Sequence, residues 1–493
     1  MSTLAARASN GGKVGRRGQL GRLTATIVVA LLYVLILETI LEAWVLAILP
    51  GVGAAGDGAA AALRLSRNGL YIVLAFVSVI HVVARHRWRS FLTPADGIFA
   101  ALVVVLVVAG VVGGSSPSLT LQGVYVYLRA AIVLYAVRAV APDRTRVRPL
   151  LWAAGALLIL NVGLAILQAV LGPVAYTGIG YSDLTWASQH RSQGFQSHPN
   201  HLGHLLALAL VGLSAWFAST PAFPRRWWGL FALFATGLVL TQSRESLLGL
   251  GVGIAIITLL RWGALRRMVF AVGLVTALTL VTWTIQPGNW ANLAGRVQGV
   301  ATAVDIPSGS ESAHPCDPAT TACTSTGKPK REIRVLYLQQ GLGLLAARPF
   351  LGYGVGQFGG GVASDNNPEW YKNPKFGPGG FNMNGFNARQ VDSFWLHLVV
   401  ETGIAGMAAY LTWLASLGWP LVSPARRRFS PDDEAGSADF DRATAIWGCA
   451  TIGLLLVVGG FSPAPEDAVF APLAMGVIGL AWALRRTDRE TIG

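Results

Sequence analysis

The sequence predicts an all-α polytopic membrane protein, with about 12 transmembrane helices and one long extracytoplasmic loop. Of its 493 residues, 53% are hydrophobic and only 13% are charged. A soluble protein of this length carries about 25% charged residues. Apolar stretches of roughly 18–22 residues recur along the chain, and helices of that length cross the hydrocarbon core of a bilayer.

Twelve apolar segments are interpreted as membrane-spanning helices, with basic tails at 1–22 and 485–493. The N-terminal tail shows no signal-peptide cleavage pattern ahead of the first span, so we expect it to be retained. Spans one to nine occupy 23–286, and spans ten to twelve occupy 394–484. The predicted spans are 23–45, 69–84, 96–114, 118–137, 149–171, 200–219, 227–242, 246–261, 267–286, 394–418, 443–461 and 468–484.

The formal net charge of +14 is explained by arginines at the ends of spans, and no nucleic-acid partner is expected. An excess of Lys and Arg marks cytoplasmic loops. Both termini are therefore predicted to be cytoplasmic, in a protein of the inner (cytoplasmic) membrane. The arginines assigned to that side are Arg85, Arg87, Arg89, Arg144, Arg146, Arg148, Arg225, Arg226, Arg266, Arg267, Arg426, Arg427, Arg428, Arg485, Arg486 and Arg489, while the outer loops hold few, among them Arg64, Arg67, Arg191 and Arg244.

The segment 287–393 is the one long loop, and the same orientation places it outside the membrane. Loops of this length within a compact protein are usually functional. Its Cys316 and Cys323 are predicted to form a disulfide, with two free thiols as the alternative. The position of the loop argues against ATP or nucleotide sugars as substrates, because those pools are cytoplasmic.

Within this loop, the spacing of apolar residues over 331–347 predicts an amphipathic helix along the membrane face, with Arg331 and Arg334 on its first turns. The following "FLGYGVGQFGGG" is rich in glycine, but a phosphate-binding fingerprint needs a preceding strand and a following helix. Neither is predicted here. The aromatic residues farther along suit either a sugar-binding surface or a loop that packs on itself; they are Trp370, Tyr371 and Phe376.

Polar residues inside or beside the spans form a second set of candidates. Arg129 is a charge in the middle of a span, which is functional by default, although pairing with Glu38 or Glu42 would also explain it. The histidines of "HPNHLGH" do not share one tight face and have no carboxylate beside them in sequence. We therefore expect no metal site, and we interpret this stretch as a polar opening of the sixth span in which Asn200 lines the site.

Four stretches together resemble the O-antigen ligase and O-antigen polymerase superfamily of bacterial envelopes. They are "GFQSHPNHLGHLLAL" (194–208), "TQSRESLLGLGVGI" (241–254), "REIRVLYLQQGLGLLAARPFLGYGVGQF" (331–358) and "DSFWLHLVVETGIAGMAAYL" (392–411). Each is weak alone, but their order along a dozen spans is specific.

The resemblance implies a metal-independent C-type membrane glycosyltransferase without a cofactor. Such enzymes move a glycan from a polyprenyl-diphosphate carrier to an acceptor hydroxyl on a lipid, glycan or protein, at the outer face of the inner membrane. The two functional arginines of the family fall on Arg244 and on Arg334, with Arg331 as a competitor. Its histidine position falls on Asp392, and His397 does not match it, which weakens a placement in the lipopolysaccharide-ligase branch.

The chemistry suits these residue types. Guanidinium groups grip the oxygens of a diphosphate leaving group and offset its growing charge, and Asp392 is hypothesised to accept the proton of the acceptor hydroxyl. Alternatives remain for each: an ordinary polar turn at Arg244, headgroup contacts for Arg334 and Arg331, and a helix cap at Asp392. The further substrate-binding candidates are Arg191, Asn200, Tyr353, Gln357 and Arg129.

A ligase is the favoured activity. A polymerase, which uses a second carrier-linked glycan as the acceptor, is the closest rival. A transporter is the rival from another class, and it would call for polar residues that continue through several spans. Most polar candidates gather at the outer face, which favours chemistry at the membrane interface.

Overall fold

The computed structural model describes residues 2–48, 57–220, 224–285, 333–383, 390–426 and 437–490. All regular structure in these ranges is helical, as the sequence predicts. Nine helices in the described ranges are long and apolar enough to cross a membrane, and two shorter apolar helices span Arg226–Thr241 and Phe470–Arg485. The protein is therefore a multi-pass membrane protein, and the count of twelve spans stays a prediction.

The helices of the described residues are numbered here along the chain. In chain order they are α1 (Ser2–Ile48), α2 (Asp57–Ala84), α3 (Pro94–Val112), α4 (Pro117–Val140), α5 (Arg144–Leu171), α6 (Pro173–Gly178), α7 (Thr185–Ser188), α8 (Pro199–Ser219), α9 (Arg226–Thr241), α10 (Arg244–Leu260), α11 (Leu265–Ile285), α12 (Ile333–Ala347), α13 (Gly361–Asn366), α14 (Phe394–Arg426), α15 (Ser437–Phe461) and α16 (Phe470–Glu490). Short 3-10 turns lie at Trp88–Phe91, Trp262–Ala264, Trp370–Lys372, Pro374–Phe376 and Ala464–Glu466.

Some predicted boundaries shift. Helix α1 begins within the predicted basic tail. The helix predicted for 331–347 is described from Ile333 to Ala347. Arg331, Cys316 and Cys323 lie outside the described residues, so the competing arginine and the disulfide stay predictions.

The core is formed by helices that are buried on most sides, chiefly α4, α8 and α15. Helix α4 packs along α16, and α8 packs against α9, α10 and α15. Small residues allow these close approaches, as is usual between membrane helices. A Cβ atom on Gly479 of α16 would lie 2.7 Å from the carbonyl oxygen of Leu134 of α4.

Helix α14 is kinked at Gly403, whose φ of 66° is unfavourable for residues with a side chain. The kink receives the segment that follows α12. The amides of Ile404 and Ala405 donate to the carbonyls of Pro349 and Phe350, at 2.8 and 3.2 Å. This docking fixes residues 333–383 at one end of the bundle, which is called the loop end below.

Candidate functional site

The connection before α8, the turn before α10 and the start of α8 meet at the loop end. Arg191, in the connection 179–198, donates from Nε to the carbonyl of Thr241 at 3.0 Å. Gln242 donates from Nε2 to the carbonyl of His190, also at 3.0 Å. The connection before α8 and the turn that carries Arg244 are therefore held together.

Arg244 lies in the first turn of α10 and is exposed, whereas the next residue, Glu245, is buried. Oε1 of Glu245 lies 3.0 Å from Nε2 of His204 of α8, and both side chains are almost completely inaccessible. A Cβ atom on Gly203 would come within 2.7 Å of Cβ of Ser243. This close packing of α8 against the turn places Arg244 at the rim of the bundle.

Arg191 and Asn200 form a pair beside this turn. Nη2 of Arg191 donates to Oδ1 of Asn200 at 2.6 Å. The guanidinium carbon of Arg191 lies 5.2 Å from the ring centroid of Trp186, a cation–π arrangement. Both predicted residues therefore lie in the same wall of the loop end as Arg244.

The three histidines of "HPNHLGH" have separate contacts. Nδ1 of His198 accepts the Asn200 amide at 3.0 Å, and Nε2 of His201 lies 3.1 Å from Oδ2 of Asp467. His204 faces Glu245. No group of three or more metal-ligating side chains occurs among the described residues, and the arrangement favours a polar opening of α8.

Several groups that can carry a positive charge lie near His198. Burial lowers the pKa of His198 most, and the charges of His201, Arg191 and Arg334 lower it further, to about 2. The imidazole is therefore neutral at physiological pH. Arg334, at the start of α12, is thus near enough to the start of α8 for its charge to act on His198.

Arg334 and Asp392 form an ion pair, with Nη2 of the arginine 3.2 Å from Oδ2 of the aspartate. The two side chains are 39% and 47% exposed, so the pair is open to solvent. The helix-cap alternative for Asp392 is wrong, because it is Ser393 whose hydroxyl accepts the amide of Leu396 at the start of α14. Asp392 therefore faces Arg334, and its role as a base stays a prediction.

Arg129 contacts the turn Ala464–Glu466 through a hydrogen bond from Nη2 to the carbonyl of Glu466. The partners proposed for it, Glu38 and Glu42, instead pair with Arg67, at 3.9 and 2.5 Å. The sequence-based pairing is thus replaced by a different one, because α2 and not α4 presents its arginine to α1.

The sequence did not identify the roles of two fully buried groups on α14. The Glu401 carboxylate accepts the hydroxyl of Tyr127 and the amides of Gly356 and Phe358, each at 2.7 Å. The Gly-rich loop thus surrounds an acceptor group that belongs to the protein itself. From the sequence alone, Glu401 is an acidic residue inside an apolar span, which is expected to face protein or water rather than lipid.

His397 is the second buried group. Its Nδ1 lies 2.6 Å from Oε1 of Glu466, and its Nε2 lies 2.7 Å from the carbonyl of Val391. Since a carboxylate and a carbonyl both accept, the two ring nitrogens both donate and the imidazole is a cation. This contact fixes the backbone directly before Asp392.

Tyr353 and Gln357 hold the loop in place. The Tyr353 side chain is buried beneath Arg348, whose guanidinium carbon lies 4.8 Å from the ring centroid. Gln357 donates to the hydroxyl of Ser115 at 2.6 Å and accepts from Nζ of Lys375 at 2.5 Å. Their predicted role in substrate binding would require them to give up these contacts.

The aromatic candidates Trp370 and Phe376 lie in an interior cluster, and Tyr371 is half-buried beside Trp370. Trp370, Phe376 and Phe358 are buried, with ring centroids 5.1–6.0 Å apart. A sugar cannot stack on rings that are already covered by other rings. The structure therefore favours the alternative in which the loop packs on itself.

The family model described as O-antigen ligase matches residues 229–411 of this chain. That region begins in α9 and ends in α14, and it contains Arg244, Arg334, Asp392 and Glu401. No curated protein matches the chain. The family comparison therefore covers the elements that carry Arg244 and Arg334 but not those that carry Arg191 and Arg129.

Proposed function

We propose that this chain, which is O-antigen ligase-like over residues 229–411, transfers a glycan from a polyprenyl-diphosphate carrier to an acceptor hydroxyl. The observation that carries the proposal is the gathering of arginines at the loop end. Arg334 and Arg191 act together on His198, and Arg191 is bonded to the turn that carries Arg244. The reaction would need no metal ion.

The leaving group explains why arginines are used. When the bond between the anomeric carbon and the diphosphate breaks, negative charge grows on the phosphate oxygens. Guanidinium groups stay charged and offer paired N–H donors to such oxygens. Arg244 and Arg334 would hold the diphosphate at the depth of the lipid headgroups, while the polyprenyl tail stays in the bilayer.

The ion pair between Arg334 and Asp392 suggests how the donor enters. Exposed ion pairs contribute only about 0–1 kcal/mol of stability, so the pair can open at little cost. A diphosphate carries more charge than a carboxylate and would displace Asp392 from Arg334. The released Asp392 would then face the acceptor side of the site.

We place this reaction at the extracytoplasmic face of the inner membrane. The support for this placement is the arginine distribution, which assigns the loop end to the outside. Lipid-linked glycans presented on that face reach the site laterally through the bilayer, and acceptors reach it from the aqueous side.

Deletion of the gene in its host tests the proposal. We expect polyprenyl-diphosphate-linked glycan to accumulate in membrane extracts, as measured by mass spectrometry, and one envelope glycoconjugate to lose its glycan. Re-expression of the wild type should reverse both changes. An unchanged pool of carrier-linked glycan would contradict the proposal.

An assay with a carrier-linked glycan distinguishes a ligase from a polymerase, its closest rival. Purified protein that is given a single-repeat carrier-linked glycan should leave it unextended unless a distinct acceptor is added. A ladder of longer carrier-linked products would identify a polymerase instead.

A further inference from the structure

At the loop end, His201 lies between Ser197 and Asp467 and contacts both. None of these three side chains belongs to the proposed donor site. Oγ of Ser197 lies 3.3 Å from Nδ1 of His201, and Nε2 of the same ring lies 3.1 Å from Oδ2 of Asp467. The side chain of His201 is 28% exposed, so a molecule in the site can reach it, whereas Oδ2 of Asp467 is buried and meets His201 at ion-pair distance without hydrogen-bond geometry. A hydroxyl, an imidazole and a carboxylate in this order are suited to moving a proton.

We propose that His201, oriented by Asp467, accepts the proton of the incoming acceptor hydroxyl. The inference rests on the proposed glycan transfer and deepens it. His201 is then a catalytic residue, and Asp467 is a positioning residue that acts through it.

Asp467 favours the tautomer of His201 that can act as a base. Its carboxylate, opposite Nε2, favours the proton on that nitrogen and leaves Nδ1 free to accept. Burial raises the pKa of Asp467, but the charge of Arg129, the Val469 amide and His201 whenever its ring is protonated act against it, and the pKa is lowered overall, so the group is a carboxylate. Oδ1 also accepts the amide of Val469 at 3.2 Å, which fixes the carboxylate.

The position of the Ser197 hydroxyl indicates where the acceptor hydroxyl would bind. Ser197 is exposed, and its Oγ stands where the hydroxyl of an acceptor would meet Nδ1. An acceptor that displaces Ser197 would place its oxygen against His201, on the wall of α8 that also carries Asn200 and its partner Arg191.

The transfer step balances with these groups. The acceptor oxygen forms a bond to the anomeric carbon, and the bond from that carbon to the diphosphate oxygen breaks with its electron pair. The hydroxyl proton passes to Nδ1 of His201. The resulting imidazolium is stabilised by Asp467 and later returns its proton to water, while polyprenyl diphosphate leaves with the charge held by the arginines.

His201 is better placed for this task than Asp392. Nδ1 of His201 already faces a hydroxyl, that of Ser197, at 3.3 Å, whereas Oδ2 of Asp392 faces the Arg334 guanidinium. The remaining charged or titratable groups around His201 are His198, His204, Glu245, Arg129, Arg191 and Arg334. Of these, His198 stays neutral and does not contribute a titration at physiological pH.

The test uses the full-length protein in nanodiscs, with the carrier-linked glycan extracted from the deletion host as the donor. His201→Gln should lower the single-turnover rate by ~10²-fold and remove the acid limb of the pH–rate profile. Asp467→Asn should lower the rate less and shift that limb. The affinity for undecaprenyl diphosphate should stay within about twofold in both, since neither residue is proposed to bind the donor.

Matched controls are His86→Gln, which removes an exposed imidazole after α2, and Asp183→Asn, which removes an exposed carboxylate from the connection before α8. Both should keep the wild-type rate. A His201→Gln rate above half that of the wild type would overturn the inference. If His201→Gln also loses undecaprenyl diphosphate binding, Asp467→Asn decides: a lowered rate with a shifted limb supports the inference, and an unchanged profile overturns it. A wild type without transfer would refute the proposed function itself.

Discussion

Replacement of Arg334 with glutamine is expected to lower the rate of glycan transfer by ~10²–10³-fold, which corresponds to ~3–4 kcal/mol of barrier. The reason is that glutamine keeps the length and polarity of the side chain but cannot offset the charge that grows on the diphosphate. Single-turnover transfer from the extracted carrier-linked glycan measures the effect. Affinity for undecaprenyl diphosphate should fall in parallel.

Arg334→Lys and Lys372→Gln are the controls for this prediction. Lysine keeps the charge but loses the paired donors, so Arg334→Lys should fall between the glutamine variant and the wild type. Lys372 carries an exposed cation of the same segment, paired with Glu369 at 2.5 Å, and its removal should leave transfer unchanged. Equal losses in Arg334→Gln and Lys372→Gln would show that only the overall charge of the segment matters.

Replacement of Glu401 with alanine is expected to lower the free energy of unfolding by about 3 kcal/mol or more. The change leaves the Tyr127 hydroxyl and the amides of Gly356 and Phe358 buried without an acceptor, and each such group costs roughly 1–3 kcal/mol. The Gly-rich loop would detach from α4 and α14, and transfer would fall with it. Thermal unfolding of the nanodisc-embedded protein measures the change.

Tyr127→Phe provides the matched control, because it removes one of the three donors and leaves the carboxylate with two. Its cost should be only about 1–2 kcal/mol. If Glu401→Ala unfolds at the wild-type temperature and keeps its activity, the carboxylate does not hold the loop.

The sequence predicts the helical membrane class well, because apolar length is a direct consequence of bilayer thickness. It also places Arg244, Arg334 and Asp392 in motifs, and the structure pairs two of these three directly. What it cannot supply is the rotation of each helix about its axis. The partners of Arg129 depend on that rotation, so the sequence could offer Glu38 or Glu42 only as an alternative to a functional role, and the structure pairs both with Arg67.

Contacts between segments that are distant in sequence explain the other differences between the predicted and the observed roles of residues. Gln357 bonds to Ser115, a residue far away in sequence, so its residue type alone suggested a ligand contact. Glu401 and the loop amides of Gly356 and Phe358 are likewise brought together where the loop docks at the kink in α14. Turns that carry acidic residues, such as "APED" at 464–467, are local signals that could have pointed to partners for His201 and His397.

The position of the donor diphosphate is the most direct test of the central claim. A cryo-electron microscopy structure of the protein in nanodiscs with undecaprenyl diphosphate would locate its phosphorus atoms. We predict both phosphates within hydrogen-bonding distance of the guanidinium groups of Arg244 and Arg334, with Asp392 released from its ion pair. A diphosphate bound at another place on the bundle, with the Arg334–Asp392 pair intact, would contradict the account.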